Sequence, residues 1–386
     1  MTIWMLALIC MVAGLAVASL TDAAGRDADR VRVYLGTASQ ERSKGIYLAE
    51  LDLTSGQLSE PELVAEVEGP TFLVAHPTGR WLYSVGTTTE ADGTKVGVVH
   101  SFAVNRETGA LTWLNQQPSG GDGPCHLSLD PAGRHALVAN YSSGSVAVLP
   151  IDEEGQLGPA SSIIQHTGSS VHPRRQQQPH AHAIQPHPAG GFAFVADLGA
   201  DRLVVYRYDD QTGGLDLHDA GSFDAAPGAG PRHFAFHPTL NVIYLINELD
   251  STVAALRFDA SAGRLEALQT VTTLPDDFQD VNYPSEVAVH PAGRFLYGAN
   301  RGHDSLAVFE ISGATGELAL TEIVPIEGDF PRHFAIDPTG QFLIAAHQKS
   351  NDLSIFRLDP DSGRPAFTGQ QVPLGTAMCV LYQPMP

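Results

Sequence analysis

The chain has 386 residues, of which 43 are acidic and 22 basic, for a formal net charge of −21. So acidic a surface repels nucleic acid and anionic membranes, which excludes polyanion binding and makes any local group of arginines stand out as a positive spot in a negative field. With 43% hydrophobic residues a sizeable core is within reach, and 38 glycines and 26 prolines without long helical periodicity point to many short strands joined by tight turns.

The chain opens on an apolar stretch at 3–18, shorter than the roughly 20 residues that cross a bilayer. Ala16-Val17-Ala18 offers a small-x-small cleavage pattern. Residues 1–24 are therefore expected to form a signal peptide cut after Ala18, giving an exported, periplasmic or extracellular protein with no stable membrane insertion after cleavage. No Lys or Arg precedes the apolar stretch, so an uncleaved N-terminal anchor is the alternative. Cys10 follows the bulky Ile9, which argues against lipidation.

Six segments then repeat one pattern, starting at Pro70, Pro124, Pro179, Pro231, Pro284 and Pro331, with spacings of 47 to 55 residues. That period is typical of propeller blades. In the second copy a short strand at 126–129 meets an Asp-Pro-Ala-Gly-Arg turn. Strands at 136–140 and 146–151 follow, and a less regular fourth lies near 162–165. Proline early and glycine late suit the backbone angles of such a turn.

The two ends of the chain complete the count. Residues 31–36, 45–53 and 63–67 match the second, third and fourth strands of a copy, and 377–382 match a first strand. The expected fold is all-β: one seven-bladed β-propeller over 31–386, with four-stranded antiparallel blades and a ring closed by N-terminal strands plus a C-terminal strand in one blade.

In a propeller the start of each first strand and the end of each second strand share one face. This rule gathers His126, His180, His182, Arg232, His233, Glu286, Arg332 and His333 from first strands. From second strands it gathers Asn140, Asp197, Asn247, Glu248, Asn300, Arg301 and His347. These residues differ from blade to blade, as an asymmetric ligand requires. By contrast His76, Asp130, His187, His237, His290 and Asp337 recur before proline on the opposite face and are expected to form turns.

Structural readings stand beside the functional one. His126, His233 and His333 equally suit bonds between neighbouring blades, and Arg232 and Arg332 suit salt bridges to Glu286 and Glu248. His180 and His182 lack a third metal ligand, so no metal and no cofactor is expected. Cys125 and Cys379 fall in non-adjacent blades, too far apart for a disulfide, and are expected to be small buried apolar residues. The connection 161–178, with Arg174 and Arg175, either folds over the rim or is a solvated loop.

At these residues the chain resembles the lactonase family of seven-bladed propellers, the 6-phosphogluconolactonase type related to the carboxymuconate lactonizing enzymes. The specific pieces are His166-Thr-Gly-Ser-Ser-Val171, Arg175-Gln176, Pro179-His-Ala-His182, Gly230-Pro-Arg-His-Phe234, Asn247-Glu-Leu249, Asn282-Tyr-Pro-Ser-Glu286 and Asn300-Arg-Gly-His303. The resemblance implies a catalytic set of His182, Arg232, Glu248 and Arg301. His180, Glu286, Asn140, Asp197, Arg332, His333 and His347 are then expected to bind substrate.

The chemistry suits these residue types. Opening a lactone needs an activated water, stabilisation of the carbonyl oxyanion and a proton for the departing ring oxygen. The expected function is hydrolysis of 6-phosphogluconolactone or a related sugar lactone, with a small anionic or sugar lactone as partner. The alternatives are a muconate-type cycloisomerase and a non-catalytic binding platform.

Overall fold

A computed structural model describes residues 29–39 and 42–384, so the signal-peptide reading lies outside the described residues. The chain folds into seven four-stranded antiparallel sheets, one of which carries an additional short pairing strand, and the described residues contain only a single 3-10 turn, Asp219–Gly221. No helix among them is long and apolar enough to cross a membrane.

The blade that joins the chain ends has the order Ala377–Pro384, Arg30–Thr37, Gly45–Asp52, Glu62–Glu66, as the strand pattern predicts. Its innermost strand pairs Val33 with Tyr382 and Leu35 with Val380. Both residues of the Ser43 and Thr376 hydroxyl pair, at 3.0 Å, flank that join.

The core is spread between blades. Seven apolar clusters occupy the seven blade junctions, and the one built from Val33, Leu35 and Ala49 with Phe342, Ile344 and Leu353 packs the first blade on the last. A second strand is therefore covered on both faces, which is why Phe192–Asp197 and Val242–Asn247 are buried throughout and read as continuous apolar runs. Outermost strands such as Leu318–Pro325 are mostly exposed or half-buried.

Polar ties repeat across the junctions. The Tyr34, Tyr83, Tyr244 and Tyr297 hydroxyls donate to the carbonyls of Gly109, Gly155, Gly316 and Gly363 in the next blade, at 2.7 to 3.1 Å. The turn histidines do more than shape turns: Nε2 of His76, His237 and His290 bonds the Gly133, Gly293 and Gly340 carbonyls of the following blade. Asp130 and Asp337 stay local, accepting from the His135 and Phe342 amides.

One irregularity positions the functional face. In six blades the innermost strand carries an extra residue near its start, between Pro124 and His126, Ala181 and Ala183, Pro231 and His233, Pro284 and Val287, Pro331 and His333, and Ala377 and Cys379. Such a bulge re-aims a side chain that a regular strand would alternate into the sheet. The residues so displaced are Cys125, His182, Arg232, Ser285 with Glu286, Arg332 and Met378.

Candidate active site

The bulges open into a cleft of about 440 Å³ on the face that carries the first-strand starts and second-strand ends. Its walls include Cys125, Tyr141, Arg175, His182, Glu248, Tyr283, Arg301, Phe330 and Arg332.

Glu248 is the hub. Its Oε2 accepts from Arg232 Nε at 2.9 Å and lies 2.8 Å from Arg301 Nη2, while Oε1 accepts from Arg175 Nη2 at 2.5 Å. Burial alone would raise the Glu248 carboxyl, but Arg301, Arg232 and Arg175 outweigh it and hold the group far below the usual carboxylate range. The arginines are fixed in turn. Arg301 donates to the Tyr283 and Pro284 carbonyls at 2.8 and 3.3 Å, and Arg232 Nη1 donates to the Ser285 carbonyl in the next blade. Burial and the neighbouring Arg332 and Arg301 press Arg232 downward, yet a guanidinium keeps its proton in proteins, so it remains the cation that Glu248 pairs.

Arg332 differs from the other three. It lines the cleft but makes no hydrogen bond or salt bridge among the described residues. Three guanidinium groups, of Arg175, Arg301 and Arg332, therefore line the cleft with one ionised carboxylate, and a fourth, Arg232, is buried against Glu248 outside the lining, in a chain whose net charge is −21.

His182 is buried, and burial followed by Arg232, His233, Arg332 and Arg301 pushes its pKa well below the usual 6.5, so the imidazole is neutral at physiological pH. Cys125 Sγ donates to the His182 carbonyl at 3.4 Å and sits 3.9 Å from Nδ1. The cysteines form no disulfide. Cys379 is buried as expected, whereas Cys125 is half-buried on the cleft wall, a correction that follows from its place in a bulge. Burial pushes its thiol up to about 11, which keeps it protonated.

Glu286 lies outside the cleft lining. Its Oε2 bonds His233 Nδ1 at 2.9 Å and His333 Nε2 at 3.2 Å, and burial raises its carboxyl. His333 Nδ1 accepts from the Val380 amide at 3.3 Å and His126 Nδ1 from the Ile184 amide at 3.4 Å, so these histidines do tie neighbouring blades. Arg232 and Glu248 pair within one blade, while Arg301 reaches Glu248 from the next.

Four other rim residues lie away from the cleft lining. Asn140 donates to the Ser119 carbonyl at 2.9 Å, and His347 Nε2 pairs with Ser354 at 2.8 Å. Asp197 binds His166 Nδ1 at 2.7 Å and caps the amides of His180, Gly199 and Ala200. His180 stacks on Tyr141, with ring centroids 4.4 Å apart, and so supports a wall residue from behind. Strand ends share a face, but their side chains alternate, which takes these residues into blade junctions.

The rim positions read from the sequence pass over Tyr141, one residue after Asn140, Tyr283, three before Glu286, and Phe330, two before Arg332. Arg175 stands in the sequence within the lactonase motif Arg175-Gln176 and in the connection 161–178, but no site role is assigned to it there. Its segment folds over the rim: the buried Gln176 donates to the Leu198 carbonyl at 2.9 Å and to Asp201 at 2.6 Å, and Gln178 donates to the Ser142 carbonyl at 2.9 Å. Among the described residues no three His, Cys, Asp or Glu side chains group as metal ligands.

The family model for Lactonase, 7-bladed beta-propeller, matches residues 32–382. The chain belongs to this lactonase family. A 6-phosphogluconolactonase of Bacillus subtilis is 41% identical over 297 residues, covering 77% of this chain and 82% of the relative. Another lactonase relative, a 6-phosphogluconolactonase of Formosa agariphila, is 32% identical over 304 residues, with 77% and 84% covered. The structure of the Pseudomonas aeruginosa periplasmic gluconolactonase superposes on this lactonase with a TM-score of 0.87 at 34% identity, over 92% of this chain and 100% of that one.

Proposed function

We propose that this lactonase hydrolyses a sugar lactone of the 6-phosphogluconolactone kind at the bulge-lined cleft, with His182, Arg232, Glu248 and Arg301 as its catalytic set. The observation that carries the reading is a neutral imidazole that shares a cleft of small-molecule size with Arg175, Arg301 and Arg332, with the buried Arg232 close behind it.

Neutral His182 takes a proton from the attacking water as its oxygen bonds the lactone carbonyl carbon. Arg232 and Arg301 stabilise the oxyanion, with their planes fixed by Glu248 and by backbone carbonyls. As the tetrahedral intermediate collapses, the bond to the ring oxygen breaks and the His182 imidazolium returns the proton to that oxygen. The product is an open hydroxy acid that ionises. Glu248 stays ionised throughout and serves by holding arginines. Arg332, the cation without a partner, binds an anionic group of the substrate.

The test is a titrimetric assay of the purified protein on 6-phosphogluconolactone and on glucono-δ-lactone, with His182→Ala beside it. Turnover that falls at least a hundredfold in the variant is expected; wild-type inactivity on both lactones would sink the reading.

We also infer export. The apolar stretch at 3–18 with its Ala16-Val17-Ala18 pattern supports it, and the Pseudomonas aeruginosa relative is periplasmic. N-terminal sequencing of protein from intact cells is expected to begin at Ser19; recovery of Met1 in the cytoplasm would overturn it.

A further inference from the structure

Three blades place a glycine with positive φ before the proline that opens the repeat: Gly69 at 66°, Gly123 at 65° and Gly230 at 68°. The same position ahead of Pro331 is Phe330, at φ 65°. Glycine adopts this left-handed conformation freely, whereas a side chain costs roughly 1–2 kcal/mol there. The fold needs only the backbone angle, so the ring is an addition that the repeat does not require.

The ring stands on the cleft wall between two cations. Arg301 Cζ lies 5.2 Å from its centroid and Lys349 Nζ lies 4.0 Å from it. Lys349 is one of only three lysines in the chain, is exposed, and pairs with no carboxylate among the described residues. The loop is held in place by the Phe330 amide, which donates to Asp304 Oδ1 at 2.9 Å, and by the Gln348 amide, which donates to the Phe330 carbonyl at 3.1 Å. Two residues on, the bulge aims Arg332 into the same cleft. Each cation over the ring returns about 0.5–1 kcal/mol at an exposed site, enough to offset the backbone cost only when both are held.

We propose that Phe330 is a positioning residue that holds Lys349 beside Arg332 as an anion subsite on the cleft wall, while Arg301, on the same ring, stays turned to Glu248. The subsite takes a dianionic substituent of the lactone, a phosphate monoester, remote from the scissile carbonyl. The proposal rests on the lactonase reading above and adds to it the residues that select the phosphorylated over the plain sugar lactone. Compact lysine and planar arginine together suit a group with three acceptor oxygens better than they suit a neutral hydroxymethyl.

The experiment compares 6-phosphogluconate with gluconate by calorimetric titration at low salt, on wild type, Phe330→Gly and Lys349→Met, with thermal unfolding of each. Wild type is expected to bind the phosphorylated acid at least tenfold more tightly, and each variant to lose at least fivefold of that preference. Phe330→Gly is expected to melt no lower than wild type, because glycine relieves the backbone. Equal affinity in wild type, a preference intact in either variant, or a lower melting temperature for Phe330→Gly with its preference intact would overturn the subsite. Because binding is read without turnover, a phosphate preference in a protein that hydrolyses neither lactone would leave the subsite standing and remove the lactonase reading instead.

Discussion

Glu248 Oε2 lies 2.9 Å from Arg232 Nε, and this pair within one blade is the point to which Arg301 and Arg175 are drawn from elsewhere in the chain. Glu248→Gln would leave the buried Arg232 and Arg301 and the half-buried Arg175 without a counter-charge. Breaking a buried ion pair on one side costs about 3–5 kcal/mol. Chemical denaturation of the variant is expected to show a loss of that order together with a large fall in kcat, and a variant as stable as wild type would refute the hub.

His182 is expected to give the enzyme an acid-tolerant profile. Its folded pKa lies well below 6.5, so the base stays deprotonated as pH falls through 6. The free-enzyme pKa governs kcat/KM, which should be flat from pH 8 to below 6 and should fall about 10² to 10⁴-fold in His182→Ala. An acid limb centred at 6.5 or above in wild type would contradict the buried, arginine-flanked imidazole.

Arg332 and Arg232 should separate binding from folding. Arg332 has no ion pair to lose, so Arg332→Met is expected to change stability by about 0.5 kcal/mol or less while raising KM for an anionic lactone about tenfold, the cost of one charge-assisted contact. Arg232→Met takes from Glu248 one of its three cations and breaks the bond to the Ser285 carbonyl, and is expected to destabilise by several-fold more. Steady-state kinetics and denaturation of the two variants decide it.

Stability itself should fall on acidification. His100, His333 and His347 are each pushed down to about 4, first by burial. Their folded values lie below the unfolded 6.5, so the unfolded chain binds more protons between pH 6.5 and 4. Stability is therefore complete above 6.5 and declines as pH drops through that window, by about 1.4 kcal/mol per pH unit for each group. Denaturation at pH 7, 6 and 5 should show the slope, and His100→Phe should reduce it by one group's share.

Removing the last strand should open the ring. Deleting residues 377–386 takes away Ala377–Pro384, exposes the edge of Arg30–Thr37 and uncovers the apolar cluster shared with the last blade. Loss of cooperative unfolding, or aggregation from the free edge, is expected in scanning calorimetry and light scattering; a monomer melting like wild type would count against closure by this strand.

The repeat was legible because each blade is a local meander whose turns, prolines and glycines recur at fixed spacing. From it the sequence determines seven blades, the split blade at the chain ends and a face on which His182, Arg232, Glu248, Arg301 and Arg332 stand out by failing to repeat. It also carries the lactonase motifs. Local pattern cannot determine which rim side chains turn into the cleft, since bulges shift the register by one residue and send His182 and Arg332 to the cleft wall and Arg232 against Glu248, while Asn140, Asp197 and His347 fall into blade junctions. Nor does it show that one carboxylate gathers Arg175, Arg232 and Arg301, which are up to 126 residues apart in the sequence, or that Arg332 is left unpaired. Those facts depend on where seven blades bring distant loops together, and charge pairing across that space is decided only once the ring has closed.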